Sequence, residues 1–431
     1  MRPTKTAFLA AMLAAALVLV ACAPADDGVT DNGDEPIGTV SVIGVWGGGE
    51  VDAFTEVVAG WETETGGTME FEGTRDLSAI LRARVAGGNP PDLAVLPNPA
   101  LLQELAAMGA LQPLDDVVDI SGAYAQTWLD LGSVDGQLYG MFIKAATKST
   151  VWYDPMTFAE GEYETPTTWD ELFALTDEIK AAGGPAPWAI GLESGGASGW
   201  PGTDWIQEIL LTESGPDVYD QWVNHEIPWT DPAVKSAWER FGEIALGEGN
   251  VTGGVPSILS TNFEDGSHLP FEDPPRAHMY FLGAFTQGFI ATQFPDQVAG
   301  TDYDFFKFVE INEPGTATGG ADVIVMLNDT PSARSLMEYL AGGSNWESWA
   351  AAGGYATPNQ GLDVSVYPDD LARKAAEQLT DSETFRFDAD DLMPAELQNA
   401  YFSGILEYLQ NPGDLDAILA NIETIAAGAY Q

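Results

Sequence analysis

Two hydrophobic periods alternate along this chain. Val40-Ser41-Val42-Ile43-Gly44-Val45-Trp46 is a β-branched run that stops at Gly47-Gly48-Gly49, and it predicts a buried strand. Val51, Phe54, Val57, Val58 and Trp61 then recur at helical spacing until Gly66-Gly67 closes the run. Met69-Glu70-Phe71 predicts a short strand. Asp76 stands where it can cap a helix carrying Leu77, Ile80, Leu81 and Val85, closed by Gly87-Gly88. Asp92–Leu96 predicts the next strand, and Leu101, Leu102, Leu105 and Met108 the next helix. This alternation of strand and helix points to a doubly wound α/β lobe.

An extended, aromatic-rich stretch follows from Leu138 to Asp154. Trp169–Ala182 predicts a helix after the turn Thr165-Pro166-Thr167, and helical patterns near 203–213 and 231–246 belong to a second α/β region reaching about Phe306. Ala321–Leu327 predicts an apolar strand, and Ser332–Leu340 a helix after Thr330-Pro331. The C-terminal part reads as helical near 368–379, 395–409 and 414–427. No internal repeat interrupts this order.

The first 22 residues differ from the rest. Arg2 and Lys5 precede an uncharged apolar run from Ala7 to Ala21, shorter than the ~20 residues of a spanning helix, which reads as a secretory leader. Leu19-Val20-Ala21-Cys22 closes it, and Cys22 is the only cysteine. This resembles a bacterial lipobox, so Cys22 is expected to carry diacylglycerol and anchor the protein outside the cytoplasmic membrane; the plain alternative is a free thiol at an ordinary cleavage site. Residues 23–37, rich in Asp, Gly, Asn and Pro, read as a flexible tether. A lone cysteine leaves no disulfide partner and no cysteine-based metal site. No later run approaches 18 apolar residues, so the body is expected to be soluble.

Charge narrows the function classes. The 431 residues hold 66 Asp+Glu against 16 Lys+Arg, a formal charge of −50. Without Arg2 and Lys5 the balance is 14 against 66, or −52. Such a surface repels phosphate backbones, which excludes nucleic-acid binding and adsorption to anionic lipid through basic patches. With 45% apolar and 10% aromatic residues, the chain is globular rather than an acidic disordered tail. The acidity reads as adaptation to a salty external medium, where self-repulsion is screened.

Several motifs keep a characteristic order: Trp46-Gly-Gly-Gly-Glu50, Gly73-Thr-Arg-Asp-Leu77, Gly88-Asn-Pro-Pro-Asp-Leu-Ala-Val-Leu-Pro97 and Asp135-Gly-Gln-Leu-Tyr-Gly140. Lys144-Ala-Ala-Thr-Lys-Ser-Thr-Val-Trp-Tyr-Asp154, Gly199-Trp-Pro-Gly-Thr-Asp-Trp205 and Phe387-Asp-Ala-Asp-Asp-Leu-Met-Pro394 complete the set. In this order the chain resembles the extracellular solute-binding proteins of ABC importers, family 1, and within them the alpha-glucoside-binding branch related to maltose-binding protein. The resemblance covers essentially all of residues 38–431. It implies an α/β, two-lobed periplasmic-binding-protein-like fold (type II) with the ligand in the cleft between lobes. Lobe one would be 38–143 plus 308–343, and lobe two 146–304 plus 345–431. The crossings would fall at Met141–Ala145 and near Asp304–Phe308. It also implies a carbohydrate ligand, membrane permease subunits as partners, no cofactor and a monomer that is no enzyme.

A sugar presents hydroxyls at its rim and C–H bonds on its faces, so a binder needs aromatic platforms with polar donors and acceptors around them. Unpaired buried hydroxyls would cost about 1–3 kcal/mol each. Trp46 and Glu50 flank the triple glycine, in a loop that faces the cleft in the resembling family; the plain alternatives are a core Trp and a carboxylate favoured by a helix N-terminus. The glycines themselves lack the phosphate-loop pattern. Arg75 and Asp76 form a basic–acidic pair, with a simple helix cap as the alternative for Asp76. Asn98 sits on a rigid loop between Pro97 and Pro99. Lys148, and Lys144 before it, can donate to a hydroxyl or pair with the abundant carboxylates.

Trp200, Asp204 and Trp205 combine two indoles and a carboxylate on a Gly/Pro-shaped loop, although one indole is expected in the core. Phe285 falls where the maltose-binding relative has a stacking aromatic. Gly320 and Asp322 precede an apolar strand, and Trp346, Tyr355 and Phe402 are further platform candidates.

A secreted glycoside hydrolase acting on similar sugars is the rival reading, since it too needs aromatic platforms and a pair of carboxylates. Among 66 acidic residues such pairs occur by chance and decide nothing. No Gly-x-Ser-x-Gly elbow is present, and His225, His268 and His278 lack metal-ligand spacing. Asp388-Ala389-Asp390-Asp391 resembles the start of a calcium loop without its later glycine and glutamate, so no metal is assigned. An adhesive or structural lipoprotein would call for repeats or a stalk, and only a short tether is there.

Overall fold

The β-branched runs form strands and the 3.6-period runs form helices in a computed structural model that describes residues 37–353, 355–381 and 384–430. Cys22, the leader and nearly all of the tether lie outside the described residues. In chain order the strands are β1 (Thr39–Gly44), β2 (Thr68–Gly73), β3 (Leu93–Leu96), β4 (Ser133–Val134), β5 (Gln137–Leu138) and β6 (Gly140–Thr147). They continue with β7 (Thr150–Tyr153), β8 (Ala186–Ala189), β9 (Ala277–Phe281), β10 (Asp304–Lys307), β11 (Thr316–Met326) and β12 (Thr384–Phe387).

Two sheets organise two lobes. Sheet one runs β12-β11-β3-β1-β2, with β6 also paired to β11. β1 is parallel to β2 and β3, whereas β11 is antiparallel to β3 and β6 and parallel to β12. Sheet two runs β10-β7-β9-β8. Helices Gly49–Thr65, Leu77–Ala86 and Pro99–Ala107 follow the strands of sheet one, as the periodicity predicts. Trp169–Ala182 begins at a capping box in which Thr168 and Glu171 satisfy each other's backbone N–H groups.

Sheet one carries an apolar core that includes Val42, Phe54, Trp61, Leu102 and Ile324. Sheet two is covered on one side by a cluster with Trp188, Ile209, Trp238 and Tyr401 and on another by one with Trp152, Phe263 and Phe305. The helix Trp200–Val223 is buried along most of its length and kinks at Gly215, whose φ of 83° no helix tolerates, ahead of Pro216.

The chain passes between the sheets at Lys148–Ser149, between β10 and β11, and at Asp388 after β12. This corrects the expected first crossing: Met141–Ala145 lie inside β6, fully within sheet one, because eight consecutive buried residues extend that strand to Thr147. It also corrects the assignment of everything after 345 to lobe two. Trp346, Trp349, Tyr355 and Tyr367 belong to the core of sheet one, and β12 pairs with β11. The helix Asp370–Asp381 touches both lobes, with Ala372 in the core of sheet one and Leu371 and Ala375 in the Trp152–Phe305 cluster, and after Asp388 the chain joins the Trp188–Tyr401 core through Met393, Leu397, Tyr401 and Ile418.

Candidate functional site

The loops at the ends of β1, β2 and β3 face the start of the helix Trp200–Val223 and the Phe285 turn across a cavity of about 310 Å3. This is within the range of small-molecule sites, ~300–1,000 Å3. Trp46, Glu50, Arg75, Asp76, Asn98, Lys148, Trp200, Phe285, Asp322 and Phe402 all line it, joined by Lys144 and Gly320.

Three expected platforms are elsewhere. Trp205 is 1% exposed, packed between Trp188, Phe281 and Phe308 in the core of sheet two. Five helical residues beyond Trp200, its side chain leaves on a different face. Trp346 stacks on Tyr355 with ring centroids 5.6 Å apart inside the core of sheet one, and the Tyr355 hydroxyl donates to the Ile143 carbonyl at 2.6 Å. Asp204 is also fully buried, behind Lys148 rather than on the cavity wall.

The aromatic wall is built from lobe two. Trp200 lies 5.1 Å from Phe263 and 6.2 Å from Phe285, and Phe289 closes the group at 5.8 Å from both phenylalanines. Trp200 and Phe285 are the half-buried members, with ring surface left for a ligand. Gly199, at φ 110°, starts the helix against the Phe402 backbone, where a Cβ would collide with its carbonyl oxygen. Trp46, by contrast, is 2% exposed: Phe71 stacks on it at 6.1 Å, and its indole N–H donates to Asp322 Oδ2 at 3.0 Å. It holds a carboxylate in place rather than offering a face.

Most charged groups of the wall already have partners. Lys144 donates to Glu50 and lies 3.8 Å from Asp322 Oδ2. Burial disfavours its charge, but Glu50 and Asp322 more than offset that and raise its pKa. A register shift between Asp322 and Val323, with Ile143 as the extra residue of β6, accompanies this pair, and such bulges re-aim neighbouring side chains. Lys148 lies 3.0 Å from Asp204 Oδ1 and 2.9 Å from Asp388 Oδ2. Asp204 is pushed up to about 8, first by burial, against the pull of Lys148 and with the push of Asp388. Asp390 and Asp391 are raised well above the usual carboxylate range, again by burial and then by Asp388. Asp204, Asp390 and Asp391 therefore tend to keep their protons in this setting. The Asp388–Asp391 run that resembled a calcium loop thus holds Lys148 and, through Asp390, accepts from Thr203 at 2.8 Å.

A smaller set remains uncommitted. Among the described residues Arg75 and Lys307 are the basic side chains with no carboxylate within 4.0 Å, and Arg75 lies over the Phe263 ring at 5.0 Å. Asp76 occupies the N-cap position without making a cap bond; its carboxylate instead abuts Gly196, where a Cβ would collide with it. Arg75 and Asp76 therefore reach from lobe one to lobe two at the cavity mouth. Asn98 spends only its Oδ1, as acceptor for the Leu101 N–H at 2.8 Å. Periodicity missed Phe263, Phe289, Asp391 and Gln398, which also line the cavity. The acidic run 388–391 was the one available signal for Asp391.

Comparison with known proteins decides the family. The profile described as bacterial extracellular solute-binding protein matches residues 51–376. This chain belongs to that family. The osmoprotective compounds-binding protein GgtB of Synechocystis is 39% identical over 401 residues, covering 91% of this chain and 93% of its own. The alpha-glucosides-binding periplasmic protein AglE of Rhizobium meliloti is 36% identical over 394 residues, 88% of this chain and 85% of its own. Among solved structures, the bacterial solute receptor AcbH superposes with a TM-score of 0.80 at 21% identity, covering 92% of this chain and 100% of that one. Maltose-bound MalE3 of T. maritima gives 0.73 at 15% identity, over 91% and 99%. The family and these relatives are binding proteins, and the fold is the two-lobed, extracytoplasmic receptor fold.

Proposed function

We propose that this solute-binding protein is the receptor of an ABC importer that closes its lobes on an alpha-glucoside or short oligosaccharide and delivers it to a membrane permease. The observation that carries this reading is the pairing of half-buried Trp200 and Phe285 faces with the uncommitted Arg75, Asp76 and Asn98 around one cavity. Flat rings suit the C–H faces of a sugar, and the polar set suits its hydroxyls. The names of AglE and GgtB, alpha-glucosides and osmoprotective compounds, support a small neutral glucoside. The strongly acidic composition fits a saline medium in which such solutes are useful. The protein's own cations lie over the aromatic faces, Lys148 4.7 Å from Trp200 and Arg75 5.0 Å from Phe263, which disfavours a cationic ligand.

A thermal-shift screen with maltose, trehalose, sucrose, glucose and glycine betaine tests the substrate. Stabilisation by at least one glucoside supports the reading. A response to betaine alone, with none to any glucoside, overturns it. Cleavage of the bound sugar, followed by chromatography, would favour a hydrolase instead.

The chain would be held at the membrane by lipid on Cys22 and act as a monomer. Intact-mass measurement of the membrane fraction should show a diacylglyceryl adduct that C22S lacks.

A further inference from the structure

The helix Trp200–Val223 packs into an otherwise apolar core, yet it carries a fully buried polar stripe. Thr203, Asp204, Gln207, Glu208 and Thr212 are each at most 1% exposed. The i,i+3 and i,i+4 relations 203/207, 204/207, 204/208 and 208/212 put them on one broad side of the helix, and that side meets all three passages of chain between the lobes. At the first, Ser149 Oγ donates to Glu208 Oε2 at 2.8 Å, and Lys148 reaches Asp204 at 3.0 Å. At the second, the Ile311 N–H donates to Thr212 Oγ1 at 3.2 Å, and Thr318, the third residue of β11, donates to Glu208 Oε2 through its N–H at 3.2 Å and through its hydroxyl. At the third, the Ala389 N–H donates to Gln207 Oε1 at 2.7 Å while Gln207 Nε2 donates to Asp388.

Buried polar groups are costly unless satisfied, and a network fully satisfied at several distant chain segments fixes one arrangement of them. Apolar side chains at these helical positions would fill the core as well; they would leave the crossings free to slide.

We propose that this stripe is a clamp that sets the hinge, with Glu208 and Gln207 as positioning residues holding the three crossings in the register in which Lys148, Trp200 and Asp391 meet in the cavity. Neither Glu208 nor Gln207 lines the cavity, so they act on ligand only through the crossings. The value of the clamp for binding rests on the receptor reading above; its existence does not.

Hydrogen–deuterium exchange on the unliganded full chain tests it. E208Q keeps the shape and exchanges one carboxyl oxygen for an amide nitrogen, while S149A and T318V remove one hydroxyl donor each and serve if E208Q fails to fold. Losing one hydrogen bond to a buried carboxylate corresponds to about tenfold faster exchange. The clamp predicts that increase not only at 147–151 and 316–320 but also at 387–391, which Glu208 does not touch. Faster exchange confined to the mutated contact, with 387–391 unchanged, would overturn the proposal. In ligand binding, S149A is expected to weaken affinity about tenfold through faster dissociation. If no sugar binds the wild type, the receptor reading fails, and the exchange result still decides the clamp.

Discussion

Lys144 lies within β6 and Lys148 one residue beyond its end, and their surroundings differ in kind. Lys144 faces Glu50 and Asp322, both of whose side chains keep some exposure, at 17% and 16%. Lys148 faces the buried Asp204 and Asp388, with Asp391 also acting on it and Asp390 beyond. The first group is smaller and ties the helix Gly49–Thr65, β6 and β11 together within lobe one. The second is overloaded with carboxyl groups, lies where the chain changes lobe, and must keep protons to exist. A carboxyl that keeps its proton donates as well as accepts, which is useful against a ligand made of hydroxyls.

The largest expected contrast comes from removing each lysine. K148M leaves several buried acids with no cation and should cost about 3–5 kcal/mol of unfolding free energy. K144M should cost about 1–3 kcal/mol, since its partners can reach solvent. Urea titration of both variants checks this, and equal losses would erase the distinction.

Two tryptophans five residues apart provide the next contrast. W205A opens a cavity in the core of sheet two and should destabilise by about 3–5 kcal/mol. W200A should leave stability nearly intact and lower ligand affinity about tenfold, the loss of one stacking face. Denaturant midpoints and calorimetric affinities measured on both variants separate the roles.

A smaller effect concerns pH. Asp204 is raised to about 8, above the ~3.9 of an unfolded chain. Between those values the folded state holds more protons than the unfolded one, so stability falls as pH rises from about 4 to 8. Asp390 and Asp391 shift in the same direction. Lys148 is also raised, but its contribution is present below its unfolded value of ~10.4 and is lost only above it, outside this window. D204N should therefore flatten the decline seen in the wild type, as followed by thermal melts across pH 5–8.

Much of the fold was legible because periodicity reports burial directly. The run Val51–Trp61 and the strand Ala321–Leu327 stand within the helix Gly49–Thr65 and, but for its last residue, within β11. The boundary between lobes was less legible. Nothing in the stretch Met141–Ala145 says which of two sheets it joins, and Trp346 and Tyr355 look the same in sequence whether stacked on each other or on a ligand. At the site, residue type pointed to Trp200, Arg75 and Asp76, since cations and indoles on Gly-shaped loops are conspicuous here. Phe263 and Phe289 were invisible because a phenylalanine within an ordinary helix gives no hint that one edge meets a cavity.

The most direct test of the account is isothermal calorimetry of the wild type, W200A and R75A with the glucoside that stabilises the chain best. The account predicts one site per chain, weakened about tenfold by each substitution while the melting temperature without ligand barely moves. Unchanged affinity in both variants, or no glucoside binding in the wild type, would contradict it.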